Sequence, residues 1–188
     1  MKAGLIIAGV VVIVLVVFSG QLMGSRNQLV TEKNDIDARW AQVENDMKRR
    51  ADLIPNLVET VKGYAKQEQA VIGEVTNARA ALSGARTKED TINANNQLSG
   101  ALSRLLVVVE NYPQLKSNEN FLRLQDELAG TENRIAVDRR DYNEAIRKYN
   151  TDVELFPRNI AASLFGFHRD DAYFKTTEEE KKVPQVRF

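Results

Sequence analysis

The sequence contains no cysteine, and it has only 4 prolines and 10 glycines among 188 residues. Without cysteine the chain forms no disulfide, no thiolate metal site, no cysteine nucleophile and no lipid-modified cysteine. Because proline and glycine are unfavourable inside helices, their scarcity indicates a helical protein. The lack of cysteine is compatible with either side of a membrane, so it leaves the compartment open.

Neither sign of charge is in excess, since 26 basic side chains balance 26 acidic ones. Nucleic-acid-binding proteins usually carry a basic excess or a basic stripe, so we expect no nucleic-acid partner. His168 is the only histidine, and one histidine without cysteine cannot form a usual zinc or copper site. The sequence also lacks a glycine-rich phosphate loop. We therefore expect no enzymatic activity, no catalytic or metal-binding residues and no cofactor.

A long apolar run occupies the N-terminus. Residues 3–18 carry no polar side chain, and apolar character resumes up to Met23 after a short polar interruption. As a helix, residues 3–23 would be about 30 Å long, which matches the hydrocarbon core of a bilayer. We therefore predict a transmembrane anchor over residues 1–24 that contacts the lipid bilayer through residues 3–23. A signal peptide cleaved near Ser19 is the alternative.

The charges that flank this run predict the orientation of the protein in the cell membrane. Arg26, Lys33 and Arg39 follow the run, whereas Lys2 precedes it. The positive-inside rule favours the larger basic group in the cytoplasm. We predict a single-pass protein whose domain is cytoplasmic, by a small margin that leaves the opposite orientation open.

Beyond the anchor, apolar residues recur at alternating steps of four and three residues. This 3.5-residue period is typical of helices packed side by side at a shallow angle. The two polar positions, Arg50 and Glu68, are expected either to reach out of this seam or to pair within it. The seam comprises Ile36, Trp40, Val43, Met47, Arg50, Ile54, Leu57, Val61, Tyr64, Glu68, Val71, Val75, Ala78 and Leu82.

Pro55 lies inside this periodic segment. The period continues through the proline from Ile54 to Leu57, so we predict one helix that is kinked at Pro55 and ends near Gly84. The alternative is a break at this point, with Asp52 capping a new helix.

Three more helices are predicted in the rest of the chain. The second runs from about Asp90 to Asn111, the third spans 119–156 with Ser117 or Asn118 as its cap, and the fourth spans about 158–165. Bulky residues recur at every seventh position of the third helix: Phe121, Leu128, Ile135, Tyr142, Tyr149 and Phe156.

These elements predict an all-α fold: a membrane-anchored antiparallel bundle of long helices, of the four-helix-bundle type, with an N-terminal transmembrane helix. The bundle domain is expected over residues 25–167. Residues 168–188 are polar and are predicted to form a flexible tail.

Several polar residues lie near the predicted seams and are candidates for partner binding or for setting helix register. In one interpretation they satisfy backbone groups freed by the prolines and fix the register of the helices. In another, the group around Arg50 binds a partner, and a third pairs Arg50 with Glu132. Glu32, Asp35 and Asp37 form an acidic cluster that we interpret as a solvated face. The candidates are Arg49, Arg50, Asp52, Pro55, Asn56, Asn143 and Asn150.

Three stretches give the chain a specific resemblance to a known family. They are RRADLIPNLVETVKGYAKQE (49–68), ENYPQLKSNENFLRLQDELAGTENRIAVDRRDYNEAIRKYN (110–150) and FPRNIAASLFGF (156–167). With the N-terminal anchor and the segment that starts at Trp40, they resemble the LemA family over nearly the whole chain. The resemblance implies a membrane-anchored antiparallel helical bundle of bacteria, and it implies no reaction.

The expected function is that of a non-enzymatic scaffold or adaptor, held on the membrane by one helix, that binds a protein partner of unknown identity. Self-association into a homo-oligomer is a further expectation, because heptad seams that exceed the intramolecular core can pair between chains. Two alternatives stay open. One is a regulatory partner of a membrane protease or envelope-stress system, which the family resemblance alone suggests. The other is a structural, self-assembling protein that organises the membrane.

Overall fold

The computed structural model describes residues 2–174 of the chain. These residues form helices and contain no β-strand, so the all-α class predicted from the sequence is confirmed. In chain order the helices are α1 (Lys2–Tyr64), α2 (Gln69–Gly84), α3 (Lys88–Val109), α4 (Pro113–Lys116), α5 (Glu119–Glu154) and α6 (Arg158–Phe165).

The described residues divide into two compact units. Unit 1 contains residues 2–40 and 141–173, and unit 2 contains residues 41–140 and 174. Each unit therefore combines a part of α1 with a part of α5.

The core of unit 1 is built on α1, α5 and α6. Trp40 of α1 packs against Tyr142 of α5, with their ring centroids 5.2 Å apart. Gly166 ends α6 in the left-handed conformation, with φ of 73°, which only glycine adopts without strain. The buried apolar side chains of this unit include Leu29, Ile36, Trp40, Tyr142, Ala145, Ile146, Tyr149, Ala161 and Ala162.

The core of unit 2 takes residues from α1, α2, α3, α4 and α5. Two of its helices begin with side-chain caps, as expected where the first backbone N–H groups lack helical partners. Thr87 Oγ1 accepts a hydrogen bond from Asp90 N of α3 at 3.0 Å. Asn118 Oδ1 accepts one from Phe121 N of α5 at 3.1 Å, which confirms the cap predicted for this helix.

Helix α1 continues through Pro55, as predicted, but it ends at Tyr64 and not near Gly84. Residues 65–68 form a turn that leads into α2. In a single straight helix Ala51 and Arg79 would be about 42 Å apart, whereas Arg79 Nε lies 2.8 Å from Ala51 O. The prediction of one helix up to Gly84 is therefore wrong, because α2 packs beside α1.

The seam predicted for α1 is buried over its whole length from Ile36 to Val61. Its next position, Tyr64, is 43% exposed, and the neighbouring Ala65 is buried instead. Glu68, the second polar position of the seam, accepts a hydrogen bond from Tyr112 OH at 2.8 Å. This hydrogen bond, together with burial, raises the pKa of Tyr112.

The C-terminal end of α5 differs from the heptad prediction. The helix ends at Glu154, so Phe156 lies outside it and is 78% exposed. In α6 the buried positions are Ala161 and Ala162. Residues 168–174, at the start of the predicted tail, belong to the described part of the chain, and residues 175–188 lie outside it.

The first part of α1 is long and apolar enough to cross a membrane, and none of it is buried. Its apolar side chains are about half to three quarters exposed, from 49% at Phe18 to 74% at Leu5. Burial by the rest of the protein therefore does not explain why this segment is apolar. These features fit a membrane-associated helical protein.

Candidate functional site

Arg50 is the centre of a polar network inside unit 2. Its side chain is only 5% exposed, and Nη1 lies 2.7 Å from Glu132 Oε2. The same nitrogen donates to Ser99 Oγ at 3.0 Å and to Asn95 Oδ1 at 3.4 Å. Since Ser99 and Asn95 belong to α3 and Glu132 to α5, Arg50 connects α1 to two other helices. Of the two outcomes expected for Arg50, pairing within the seam is the one that the structure shows.

The charge of Arg50 is maintained against an unfavourable environment. Burial lowers the pKa of Arg50, the carboxylate of Glu132 raises it, and the nearby cation Arg139 lowers it. The net effect is a lowered pKa, because removal from water disfavours the charged form. The guanidinium still stays protonated at neutral pH, because the pKa of arginine lies far above neutral pH. Glu132 is therefore the group that compensates a buried cation.

A cavity of about 280 Å³ lies beside this network. Its walls come from α1, α3 and α5, and Arg50 and Glu132 are the charged residues of its lining. The remaining lining is mainly apolar, which favours an apolar group over a charged one as an occupant. The lining residues are Arg50, Leu57, Ser99, Leu102, Ser103, Leu106, Gln125, Leu128, Ala129 and Glu132.

Pro55 stays inside α1 because its missing hydrogen bond is replaced. A proline has no N–H, so the carbonyl four residues earlier, that of Ala51, loses its helical donor. Arg79 of α2 donates from Nε to Ala51 O at 2.8 Å. The group that satisfies the carbonyl freed by Pro55 is therefore Arg79, which is not one of the polar residues that the sequence analysis assigned to this role.

This replacement predicts coupling between Arg79 and Pro55. Arg79→Met, which keeps an unbranched apolar stem, is expected to lower the free energy of unfolding by about 1–2 kcal/mol, because it leaves a buried carbonyl without a donor. In a Pro55→Ala background the alanine N–H can bond to Ala51 O, so Arg79→Met should cost about 1 kcal/mol less. Urea unfolding of the four chains, followed by helix ellipticity, measures the difference. Equal costs in both backgrounds would contradict this role of Arg79.

The other predicted site residues are divided between the two units. In unit 2, Arg49, Asp52 and Asn56 of α1 are exposed. In unit 1, Asn143 of α5 is half-buried, and Asn150 of the same helix is buried.

Asn150 fixes the segment that follows α6. Its Nδ2 donates to Asp170 O at 2.7 Å and to Tyr173 OH at 3.0 Å. Its Oδ1 accepts a hydrogen bond from Asp170 N at 2.9 Å. The preceding residue, Tyr149, donates from its OH to His168 O at 2.9 Å. Burial, followed by the charges of Asp170 and Glu32, raises the pKa of Tyr149. Asn150 thus holds the segment after α6 in place, and its predicted role in setting helix register stays a prediction.

A second polar cluster lies in unit 1 around Glu32 and Asp152, whose side chains are 8% and 11% exposed. Gln28 Nε2 donates to Glu32 Oε1 at 3.0 Å and to Asp152 Oδ2 at 3.4 Å. Lys148 pairs with Glu32, and Arg158 pairs with Asp152. The interpretation of Glu32 as part of a solvated face is therefore wrong, because α5 covers this side of α1 and supplies the counter-charge.

The pKa of Asp152 predicts an acid-dependent loss of stability. Burial raises this pKa, but the hydrogen bond with Glu32 and the charges of Arg158 and Lys148 outweigh it, and the net pKa is lowered. A lowered folded-state pKa stabilises the fold above the unfolded-state value of about 4, and this contribution disappears as the pH falls through the folded-state pKa.

Asp152→Asn should therefore be less stable than the unmodified chain at neutral pH, and the difference should vanish as the pH falls below about 4. Urea unfolding over a pH series measures it. Asp126→Asn, which changes an exposed carboxylate of α5, is the control and should show no such trend. A constant difference between Asp152→Asn and the unmodified chain would contradict the ionised state of Asp152.

Most of the partner residues in these two networks were not predicted from the sequence. Asn95 had a usable signal, because it lies three residues before Leu98 and shares its helix face with Leu98 and Leu102. Arg79, Ser99 and Arg158 had none, since each is defined by a contact between helices that are far apart in the sequence.

A model of the LemA family matches residues 39–188 of the chain. The chain belongs to the LemA family. The matched region starts near the end of the unit 1 part of α1 and includes all of α2 to α6. The resemblance recognised in the sequence is confirmed.

Curated relatives are similar over most of the chain. Magnetosome protein MamQ 2 of Paramagnetospirillum magneticum is 27% identical over 190 residues, which cover 87% of this chain and 70% of the relative. Protein LemA of Metamycoplasma hominis is 24% identical over 160 residues, with coverages of 85% and 73%. Magnetosome protein MamQ of Magnetospirillum gryphiswaldense is 24% identical, with coverages of 93% and 75%. None of these names states a reaction.

Proposed function

We propose that this LemA family protein is a single-pass membrane protein whose helical domain acts as a non-enzymatic scaffold or adaptor for protein partners. The observation that carries the proposal is the continuity of α1. The same helix contains the exposed apolar segment over residues 3–23 and, from Ser25 onward, buried residues of unit 1. The anchor and the domain thus need no flexible linker between them.

The exposed apolar segment supports the membrane part of the proposal. Soluble proteins rarely leave large contiguous apolar patches in water, and here the whole circumference of a helix is apolar over residues 3–18. A helix satisfies its own backbone hydrogen bonds, which is the requirement for a segment inside hydrocarbon. Insertion into a bilayer removes this surface from water without a partner chain.

The pairing of the buried polar side chains supports the proposal that the protein is not an enzyme. The buried Arg50 contacts Glu132, Ser99 and Asn95, and the buried carboxylates Glu32 and Asp152 have cationic partners. Groups that are paired in this way hold helices together and are poorly placed to attack or protonate a substrate. The exposed helix faces remain as surfaces for contact.

Two pairs of exposed, oppositely charged residues on α1 allow the adaptor role to be tested with matched variants. Arg49→Glu with Asp52→Lys reverses two charges in the predicted partner-binding group without changing the net charge. Glu59→Lys with Lys62→Glu makes the same change at another exposed position of α1. The full-length chains are recovered from detergent-solubilised membranes, and the stoichiometry of the copurified protein is measured.

We expect a partner in fixed stoichiometry with the unmodified chain and with the second variant, and loss of that partner with the first. Recovery of the chain alone in all three cases would contradict the adaptor role and favour the self-assembling structural alternative. Turnover of any substrate by the purified full-length chain would contradict the non-enzymatic role.

The cytoplasmic orientation of the domain is part of the same proposal. It rests on the basic residues that follow the apolar segment. Protease added to intact spheroplasts should leave an epitope after Phe188 protected, and digestion of that epitope would place the domain outside.

A further inference from the structure

The corner between α5 and α6 exposes apolar side chains that the core of unit 1 does not use. Phe156 is 78% exposed and Leu155 is 57% exposed. On α6, Ile160 and Leu164 are 40% and 65% exposed, and their spacing of four residues places them on one face of the helix. We call these four residues the corner patch.

The corner lies beside the end of the apolar segment of α1. A cavity of about 530 Å³ is lined on one side by Gln21, Gly24, Ser25 and Gln28, and on the other by Asp152 and the residues from Leu155 to Arg158. The Arg26 guanidinium also lies 5.6 Å from the centre of the Phe165 ring of α6. The shared cavity and the contact between Arg26 and Phe165 place the corner next to the residues that directly follow Met23.

The length of the apolar segment sets the level of these residues relative to a bilayer. Residues 3–23 extend over about 30 Å as a helix, which equals the thickness of the hydrocarbon core. The residues from Gln21 to Ser25 then lie at the boundary between hydrocarbon and headgroups. Because the corner lines the same cavity as Gln21 and Ser25, it lies at that boundary too.

We propose that the corner patch inserts into the interfacial layer of the bilayer on the side of the helical domain. This inference rests on the proposed membrane anchoring through α1. The occupant is lipid because the patch lies beside the end of the anchor, at the level where the anchor leaves the hydrocarbon. An apolar helix face next to cationic side chains is the pattern of an interfacial segment, and here Arg26 and Arg158 are the cations beside the patch.

The contact gives the domain a second attachment to the membrane. A transmembrane helix alone leaves the domain free to rotate about the helix axis and to tilt. With the corner patch in the interface, one defined side of unit 1 faces the lipid.

The absence of cysteine allows a direct test with single labels. An environment-sensitive fluorophore is attached to Phe156→Cys or to Leu164→Cys in the full-length chain, reconstituted in vesicles of phosphatidylethanolamine and phosphatidylglycerol. Quenching is compared for nitroxide lipids that carry the spin label near the headgroup or deep in the acyl chain. Val14→Cys, inside the apolar segment, reports anchoring. Asn34→Cys is the control, because it is exposed on the same helix about 16 Å beyond Met23.

We expect blue-shifted emission at Phe156→Cys and Leu164→Cys, with stronger quenching by the shallow nitroxide, and no shift or quenching at Asn34→Cys. If the labels at the corner showed the same emission and the same lack of quenching as Asn34→Cys, the corner contact would be overturned. Quenching of Val14→Cys by the deep nitroxide would then show that the anchor is still in the bilayer. An unquenched label at Val14→Cys would overturn the anchoring as well. Blue-shifted labels at the corner that no nitroxide lipid quenches would show a protein contact, such as a second copy of the chain, and would also overturn the inference.

Discussion

Replacing Glu132 by alanine is expected to lower the free energy of unfolding by about 3 kcal/mol, because it leaves a buried cation without its counter-charge. The side chain of Glu132 is 42% exposed, whereas that of Arg50 is 5% exposed. The substitution at the more exposed Glu132 thus destabilises the protein by leaving the charge of the buried Arg50 uncompensated. The nearby Arg139 repels Arg50 and lowers its pKa, and without the carboxylate of Glu132 nothing in this group of charges offsets that repulsion.

Arg50→Met should cost clearly less than Glu132→Ala, since it removes the buried charge and fills most of its volume with an apolar side chain. Glu127→Ala changes an exposed carboxylate of the same helix and should stay within about 0.5 kcal/mol of the unmodified chain. Urea unfolding of the four chains gives the values. If Glu132→Ala and Glu127→Ala were equally stable, Glu132 would not be the group that compensates Arg50.

Changing Val11 and Val14 to arginine is expected to prevent stable insertion of the apolar segment. On a scale from insertion experiments each arginine near the middle of a helix costs about 2.5–3.5 kcal/mol, so the pair costs about 6 kcal/mol. The full-length variant should appear in the supernatant after carbonate extraction of membranes.

Val11→Leu with Val14→Leu changes the same positions and keeps them apolar, so this chain should stay in the carbonate-washed pellet. Retention of the double arginine variant in the pellet would mean that another part of the chain holds it on the membrane. The corner patch would then be the first region to examine by substitution of Phe156 and Leu164.

The periodicity of the sequence predicted the helical class and the buried face of α1. From Ile36 to Val61 each seam position is buried, because a repeat of apolar residues at 3.5-residue spacing determines which side of a helix meets its neighbours. The period did not predict the end of α1 at Tyr64, because it continues through Val71 and Val75. A turn between two helices that pack side by side can preserve the spacing of apolar residues, so periodicity alone does not reveal it.

The candidate sites were predictable only where one helix carries the signal. Arg50 stood out because it is a charged residue in an apolar seam, and a partner for it was a reasonable expectation. Arg79 did not stand out, since its role depends on the carbonyl that Pro55 leaves free in another helix. Glu32 could not be recognised as buried from the sequence, because the residues that contact it, Lys148 and Asp152, lie more than a hundred positions further along the chain.

At the end of α5 the opposite occurred, because a residue predicted to be buried is exposed. Phe156 continues the seventh-residue repeat of Ile135, Tyr142 and Tyr149, yet it is exposed while those three are buried. The repeat holds only as long as the helix does, and α5 ends two residues earlier.

The central claim is that the N-terminal apolar helix remains part of the mature protein and holds a helical domain on the membrane. The most direct test is the intact mass of the chain recovered from membranes after a carbonate wash. We expect the chain to stay in the pellet, with a mass that includes the complete apolar segment. A chain found in the supernatant, with a mass that lacks the residues before a cleavage near Ser19, would contradict it.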